Sequence, residues 1–159
     1  MAHDVIKLSR AAYDRLQAER TDLTTRGRIE IAQAIERARE LGDLSENGDY
    51  HAAKDQQGMM EGRIRQLHSI LEAAEIVDAA DDGVVGPGTI VTLLYDGDDE
   101  DMAERYLVGH IEEKVADLDV MSPGSPLGAA LVGSCAGDLV SYKAPGGTLK
   151  VKILAVVKA

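Results

Sequence analysis

Two runs of helical periodicity, separated by a short acidic break, constrain this chain more than any other feature. Before the break, apolar residues recur at steps of three and four: Ile31, Ala34, Ile35, Ala38 and Leu41. After it, Met60, Ile64, Leu67, Leu71 and Ala74 repeat the pattern, and Tyr50, Ala53 and Gln57 carry it back toward the break. Such spacing belongs to amphipathic helices packed along a seam, as in a coiled coil. A connection of only a few residues forces the two helices antiparallel. The pattern therefore predicts a helical hairpin. Helix one runs from a Ser9 cap to about Leu41, after a short lead-in over residues 1–7, and helix two runs from about Glu46 to Glu75. With about 30–35 residues per arm at 1.5 Å rise, the hairpin is roughly 45–50 Å long. A lone hairpin of that length buries one stripe, so reach explains it better than stability does. Helix one is weaker near its start. Leu16 and Leu23 lie a heptad apart, Arg20 falls between them and Gly27 follows. A mid-helix glycine costs about 1 kcal/mol relative to alanine, which predicts a softer or bent segment there.

The break itself reads LGDLSENGDYHAAKDQQG, from Leu41 to Gly58. Glu40, Asp43, Glu46 and Asp49 place four carboxylates at three-residue spacing, with no Lys or Arg between Arg39 and Lys54. Negative charge is thus concentrated at the far end of the hairpin. Taken alone, Asp43-Leu44-Ser45-Glu46 fits a capping box. Asp43 would cap helix two, Glu46 at the third helical position would reach back, and both charges would favour the helix N-terminus.

Charge limits the partners. The net charge is −11, which argues against a free nucleic-acid binder, since phosphates are drawn by a positive field. The imbalance is uneven: 11 basic against 14 acidic side chains in residues 1–76, and 6 against 14 in residues 77–159. The first half is therefore free to carry a local basic face. Cys135 is the only cysteine. It allows neither an internal disulfide nor a cysteine-rich zinc site and fits a reducing cytoplasm. No apolar run reaches the length of a membrane span, and the N-terminus lacks a signal-peptide core.

Residues 78–88, acidic and then glycine-rich, predict a linker between a hairpin domain over 1–77 and a second domain over 89–159. In the second domain the period changes. Strands are expected at Thr89–Tyr95, Glu104–His110, Leu118–Met121, Asp138–Ala144 and Thr148–Val157. A short helix is expected from Pro126 to Leu131, since proline suits a first helical turn. Pro145-Gly146-Gly147 supplies a turn between the last two strands. Five strands and one helix in about 70 residues make a small α+β domain. The fold class is α + β.

With these residues in view, the chain resembles the Gre transcript-cleavage factors of bacterial RNA polymerase, the GreA type in particular. The resemblance rests on GDLSENGDYHAAKDQQG followed by Glu61-Gly62-Arg63-Ile64, and on SPGSPLG, Ser122 to Gly128, with Gly137-Asp138-Leu139-Val140 behind it. It runs nearly end to end. Gly48-Asp49 departs from the more common Ala-Glu, Ile29 stands where many members have Pro, and Met59-Met60 replaces an aromatic-containing pair.

The resemblance implies a coiled-coil hairpin followed by an FKBP-like domain, in a cytoplasmic monomer without membrane contact. It implies that the C-terminal domain docks on the polymerase and the hairpin enters the secondary channel. There the factor meets the RNA 3′ end extruded by a backtracked complex and stimulates its Mg2+-dependent hydrolysis. The factor is then an accessory and not a free-standing enzyme. Asp43 and Glu46 are the implied catalytic carboxylates, sharing Mg2+ with the polymerase. Such hydrolysis needs charge neutralisation on the phosphate and a deprotonated water, and Mg2+ prefers hard oxygen ligands of this kind. Ser45 and Asn47 become candidates to hydrogen-bond water or RNA. Arg37, Arg39, Lys54 and Arg63 become candidates for a basic face that guides RNA, with Arg65 beside them. Ser122, Pro123, Ser125, Pro126, Leu127 and Gly128 become candidates for polymerase docking, although the same residues also suit a simple turn and helix start. Tyr50 is expected to pack across the two helices, and His51 to be a surface or seam residue.

The competing reading is a Gre-like channel-binding inhibitor of polymerase that does not cleave. A prolyl isomerase has only the fold behind it: such sites use an aromatic-lined pocket, and the chain has no Phe or Trp and only Tyr142 after Tyr106. A zinc-finger channel factor is excluded by the lone cysteine.

Overall fold

The computed structural model describes residues 4–43 and 46–159. Its first arm is helical from Arg10 to Arg39. Helix α1 (Arg10–Asp22) passes through a single π-helical turn, Leu23–Gly27, into α2 (Arg28–Arg39). Ser9 caps α1 as expected, its hydroxyl accepting from the Ala12 N–H at 3.1 Å. The second arm is one helix, α3 (Gly48–Ala73). At 26 residues it spans about 39 Å, shorter than the sequence estimate because it starts at Gly48 and ends at Ala73.

The π turn sits where the sequence predicted a soft segment. Two threonines adapt to it: Thr24 Oγ1 donates to the Arg20 carbonyl at 2.8 Å and Thr25 Oγ1 to Thr21 at 2.7 Å. Hydroxyls that bond back one turn in this way compete with the regular backbone ladder. Gly27 has a packing reason as well. A Cβ there would lie 3.1 Å from the Met60 sulfur, so its bare backbone lets the second arm come close.

Burial follows the predicted seam. Ile35 and Ala38 on α2, and Ala53, Ile64, Leu67, Ile70 and Leu71 on α3, are buried. The seam tapers: leucine and isoleucine fill it toward the base, whereas alanines fill it near the tip. Smaller contact residues permit a closer approach of helices. Leu41 departs from expectation. It is 70% exposed, because α2 ends at Arg39 and the helical period no longer applies.

The end of the expected lead-in over residues 1–7 is part of a strand. Strand β1 (Ile6–Leu8) forms a two-stranded sheet with β2 (Ala74–Ile76), and the Val77 N–H donates to the Leu8 carbonyl at 2.8 Å. Residues 1–3 of the expected lead-in lie outside the described residues. The chain separates into one compact unit over Tyr13–Ala74 and another formed by Val5–Ala12 with Glu75–Ala159.

The C-terminal unit is a five-stranded sheet: β3 (Thr89–Tyr95), β4 (Glu104–Val108), β5 (Asp119–Met121), β6 (Leu139–Ala144) and β7 (Gly147–Lys158), in the order β5-β4-β3-β7-β6. Only β4 and β5 run parallel. Helix α4 (Pro126–Leu131) contributes Leu131 to a core made with Val85, Val91, Leu93, Val108, Met121, Val151 and Ile153. Alternation in β3 makes this possible, since Val91 and Leu93 face the core from a strand paired on both sides. In the β6–β7 hairpin, Ala144 pairs with Gly147, leaving Pro145 and Gly146 as the loop. The positive φ, +133°, falls on Gly147.

The stretch 78–88, expected as a linker, is only partly one. Val85 is 2% exposed, donates to the Ser134 carbonyl at 2.8 Å and accepts from the Gly133 N–H at 2.9 Å. Gly88 donates to Val108 and accepts from Ala159. Two valines within the acidic, glycine-rich run are enough to draw its second half into the sheet domain.

Candidate functional site at the hairpin tip

Helix α2 runs out through Glu40, and the Leu41 N–H still reaches the Ala38 carbonyl at 3.2 Å. Gly42 then turns the chain at φ +117°, a conformation L side chains avoid. No atom lies within 4 Å of where its Cβ would be, so the requirement is conformational and not steric. Asp43 follows this turn and is exposed. Leu44 and Ser45, including the proposed contacts of Ser45, lie outside the described residues. Glu46 is exposed and immediately precedes Asn47.

Asn47 caps α3. Its backbone is extended (φ −88°, ψ 99°) and its Oδ1 accepts from the Tyr50 N–H at 3.1 Å. The predicted capping box is therefore corrected: the cap falls four residues after Asp43, and Glu46 stands outside the helix instead of at its third position. The signal for this was present. Asn is among the best N-cap residues, and Asp49 supplies an acid in the first turn of a helix that starts at Gly48. The same amide also reaches the other arm, with Asn47 Nδ2 donating to the Ala38 carbonyl at 2.5 Å. Sequence reasoning gave Asn47 no such role, because periodicity carries no information about contacts between arms.

The remaining tip residues fall into place around this clamp. Glu40 and Asp49 are exposed. The Arg39 guanidinium lies over the Tyr50 ring, 5.8 Å from its centroid, so Tyr50 does pack across the arms. His51 meets the Tyr50 ring edge-on at 5.7 Å on the exposed surface. Arg37 and Arg39 are exposed in the last turn of α2, where cations are favoured by the helix dipole. Lys54 is exposed and donates to Gln57 at 2.9 Å.

Arg63 stands apart from the other proposed RNA contacts. Its guanidinium is half-buried and forks onto the Glu19 carboxylate at 2.7 and 2.9 Å, with Gln66 at 2.8 Å. It ties the two arms together near their base. Arg28 and Glu61 form a second such tie, at 3.0 Å for both contacts. The hydrogen bond from Arg28 is the main reason the Glu61 carboxyl is held below its ordinary range.

The second candidate region is a self-contained turn. Ser122 Oγ accepts from the Gly124 N–H at 3.1 Å, and Ser125 Oγ donates to the Ser122 carbonyl at 2.7 Å. Ser125 Oγ also accepts from the Gly128 N–H at 3.1 Å, capping α4 with Pro126 in its first turn. Gly128 is buried, and a Cβ there would sit 2.0 Å from the Ser122 carbonyl oxygen. Leu127 packs against the core. Of the six residues, Ser122 and Pro126 are exposed and Pro123 and Ser125 half-exposed.

With this geometry established, comparison with known proteins is decisive. The profile described as "Transcription elongation factor, N-terminal" matches residues 6–76, and that described as "Transcription elongation factor, GreA/GreB, C-term" matches residues 80–158. The chain belongs to the GreA/GreB family of transcription elongation factors. Among its Gre relatives, transcription elongation factor GreA of Streptomyces avermitilis is 45% identical over 155 residues, covering 96% of this chain and 93% of that one. The Streptomyces coelicolor GreA is 44% identical, covering 92% and 88%. That of Mycolicibacterium vanbaalenii is 45% identical, covering 92% and 91%. The two Gre profiles meet between residues 76 and 80, just after β2. As a Gre factor the chain acts in transcription elongation, as an accessory. Among the described residues, no helix is long and apolar enough to cross a membrane.

Proposed function

We propose that this factor rescues backtracked bacterial RNA polymerase by entering its secondary channel with the hairpin and stimulating cleavage of the extruded RNA 3′ end. One observation carries the reading: Asp43 and Glu46 are exposed at the tip of the hairpin, while the capping of α3 falls to Asn47. Exposed carboxylates that flank the turn without being the cap of α3 are accessible to a ligand outside the chain.

The donor set fits Mg2+, which takes carboxylate oxygens together with water and phosphate. Asp43 and Glu46 would hold it, with the polymerase completing the shell. When bound, the ion supplies charge neutralisation at the phosphate and a more acidic water. The chain's own carboxylates would hold negative charge where the ion is needed and would accept hydrogen bonds from a water beside it.

Arg37, Arg39 and Lys54, exposed within two turns of the tip, offer phosphate contacts to the RNA. Arg63 is left out of this face because Glu19 already neutralises it. On the C-terminal unit, Ser122, Pro123 and Pro126 present the surface that docks on polymerase. Ser125, Leu127 and Gly128 shape it from beneath. The factor works as a monomer in the cytoplasm.

The test is Asp43→Asn with purified backtracked elongation complexes and Mg2+, reading RNA cleavage and polymerase binding together. Loss of cleavage with binding retained is the expected result. Cleavage near the unmodified rate refutes the role of Asp43. If the unmodified protein binds and inhibits without cleaving, the chain is a channel-binding inhibitor instead.

A further inference from the structure

The tip is organised by one amide that belongs to both arms. Asn47 Oδ1 accepts from the Tyr50 N–H at 3.1 Å, and Asn47 Nδ2 donates to the Ala38 carbonyl at 2.5 Å. That carbonyl also accepts the Leu41 N–H at 3.2 Å, and the Asn47 carbonyl accepts the His51 N–H at 3.1 Å. Residues 38, 41, 47, 50 and 51 thereby form one hydrogen-bonded unit across fourteen residues of chain. Gly42 and Asn47 mark the two ends of the turn, and each exposed carboxylate is a single residue inside them: Asp43 follows Gly42 and Glu46 precedes Asn47. The distance between the turn's ends, and hence the placement of the acid pair, depends on the Asn47–Ala38 strap. The seam cannot supply this constraint, because the buried residues nearest the tip are the alanines Ala38 and Ala53.

We infer that Asn47 is a positioning residue for the acid pair: its amide ties α2 to α3 and holds Asp43 and Glu46 in the geometry that hydrolysis requires. The inference rests on the proposed role of those carboxylates. Only Asn among the good N-cap residues meets both demands. Asp and Ser supply the capping oxygen, but a carboxylate has no hydrogen to donate and a serine hydroxyl is too short to cap α3 and reach Ala38 together. Misplacement of reacting groups by about 1 Å is enough to cost on the order of 100-fold in rate, so losing the strap has a large kinetic effect without unfolding the hairpin.

The experiment compares Asn47→Asp and Asn47→Ser with the unmodified factor and with Asp43→Asn. Four quantities are read: thermal midpoint, affinity for backtracked polymerase, maximal cleavage rate, and the Mg2+ concentration for half-maximal cleavage. Amide NMR shifts of Gly42, Asp43 and Glu46 report on the free protein. Both Asn47 variants are expected to keep the midpoint and the affinity, since the cap survives. They are expected to lose roughly 10- to 100-fold in maximal rate, to need more Mg2+, and to shift the tip amides. Agreement between a charged and a neutral replacement removes charge as the cause. Unchanged rate and Mg2+ requirement in either variant overturns the inference, as does a loss of rate that merely tracks a loss of affinity or midpoint. If Asp43→Asn abolishes cleavage while the Asn47 variants cleave normally, the inference fails and the carboxylate reading stands. If Asp43→Asn cleaves normally, the carboxylate reading fails and takes the inference with it.

Discussion

The hairpin tip and the 122–128 turn are built with the same device and use it to opposite ends. Each starts a helix from a polar cap, Asn47 for α3 and Ser125 for α4, with capping distances of 3.1 Å in both. In the 122–128 turn the distinctive residues are largely consumed by the fold. Serine hydroxyls close the turn, and Gly128 lies against the Ser122 carbonyl with no room for a Cβ. At the tip, Asn47 caps the helix, and Asp43 and Glu46 are exposed. A distinctive motif is therefore not one kind of object. Part of it builds the surface, part of it is the surface, and capping geometry tells the two apart.

The comparison breaks most sharply at Gly128. Gly128→Ala places a methyl 2.0 Å from backbone oxygen and is expected to destabilise the C-terminal unit by about 3 kcal/mol, read by urea denaturation. A near-neutral result means the turn opens freely, and the contrast with the tip disappears. At the tip, Glu46→Gln is expected to leave urea stability within about 0.5 kcal/mol, as surface changes do. It should slow RNA cleavage on the order of 100-fold, the scale set by losing one preorganised electrostatic contact. A stability loss with normal cleavage would put Glu46 in the same class as Ser125. Ser125→Ala removes the α4 cap and is expected to cost about 1 kcal/mol. It should weaken polymerase binding only as far as the turn deforms, which titration of the variant against polymerase will show.

The smallest effect concerns acid stability of the hairpin arms. Arg28 holds the Glu61 carboxyl below its ordinary range, and Arg26 does the same for Asp22, in each case mainly through a hydrogen bond. With the folded value below the unfolded one, the stabilisation is complete above the unfolded value and is lost as pH falls through the folded value. Glu61→Gln should therefore lower the melting temperature slightly at pH 7 and not at all at the acid extreme, with salt reducing the difference. An equal shift at both pH values would mean that packing, not charge, holds that tie.

Much of the fold was legible beforehand because it depends on local pattern. The steps of three and four around Ile35 and Leu67 defined the arms, alternation in Thr89–Tyr95 defined the central strand, and Pro126 marked the start of the short helix. Arg20 to Gly27 foretold a defect, and the π turn occupies Leu23–Gly27. Asp43 and Glu46 stood out within a run of four carboxylates that no Lys or Arg interrupts between Arg39 and Lys54. These properties are set by residues within one or two turns of each other, so the sequence by itself determined them.

What only the tertiary structure decided involves partners distant in sequence. Arg63 looked like a free cation until Glu19, 44 residues away, was found to hold it. Val85 looked like linker until Ser134 and Gly133 engaged its backbone. Ile6 and Lys7 looked like lead-in until their strand, Ile6–Leu8, paired with Ala74–Ile76. The capping of α3 fell to Asn47, whose amide also reaches the Ala38 carbonyl on the opposite arm. In each case the local sequence is compatible with several partners, and the choice is made by which donor and acceptor the packed chain brings within hydrogen-bond reach.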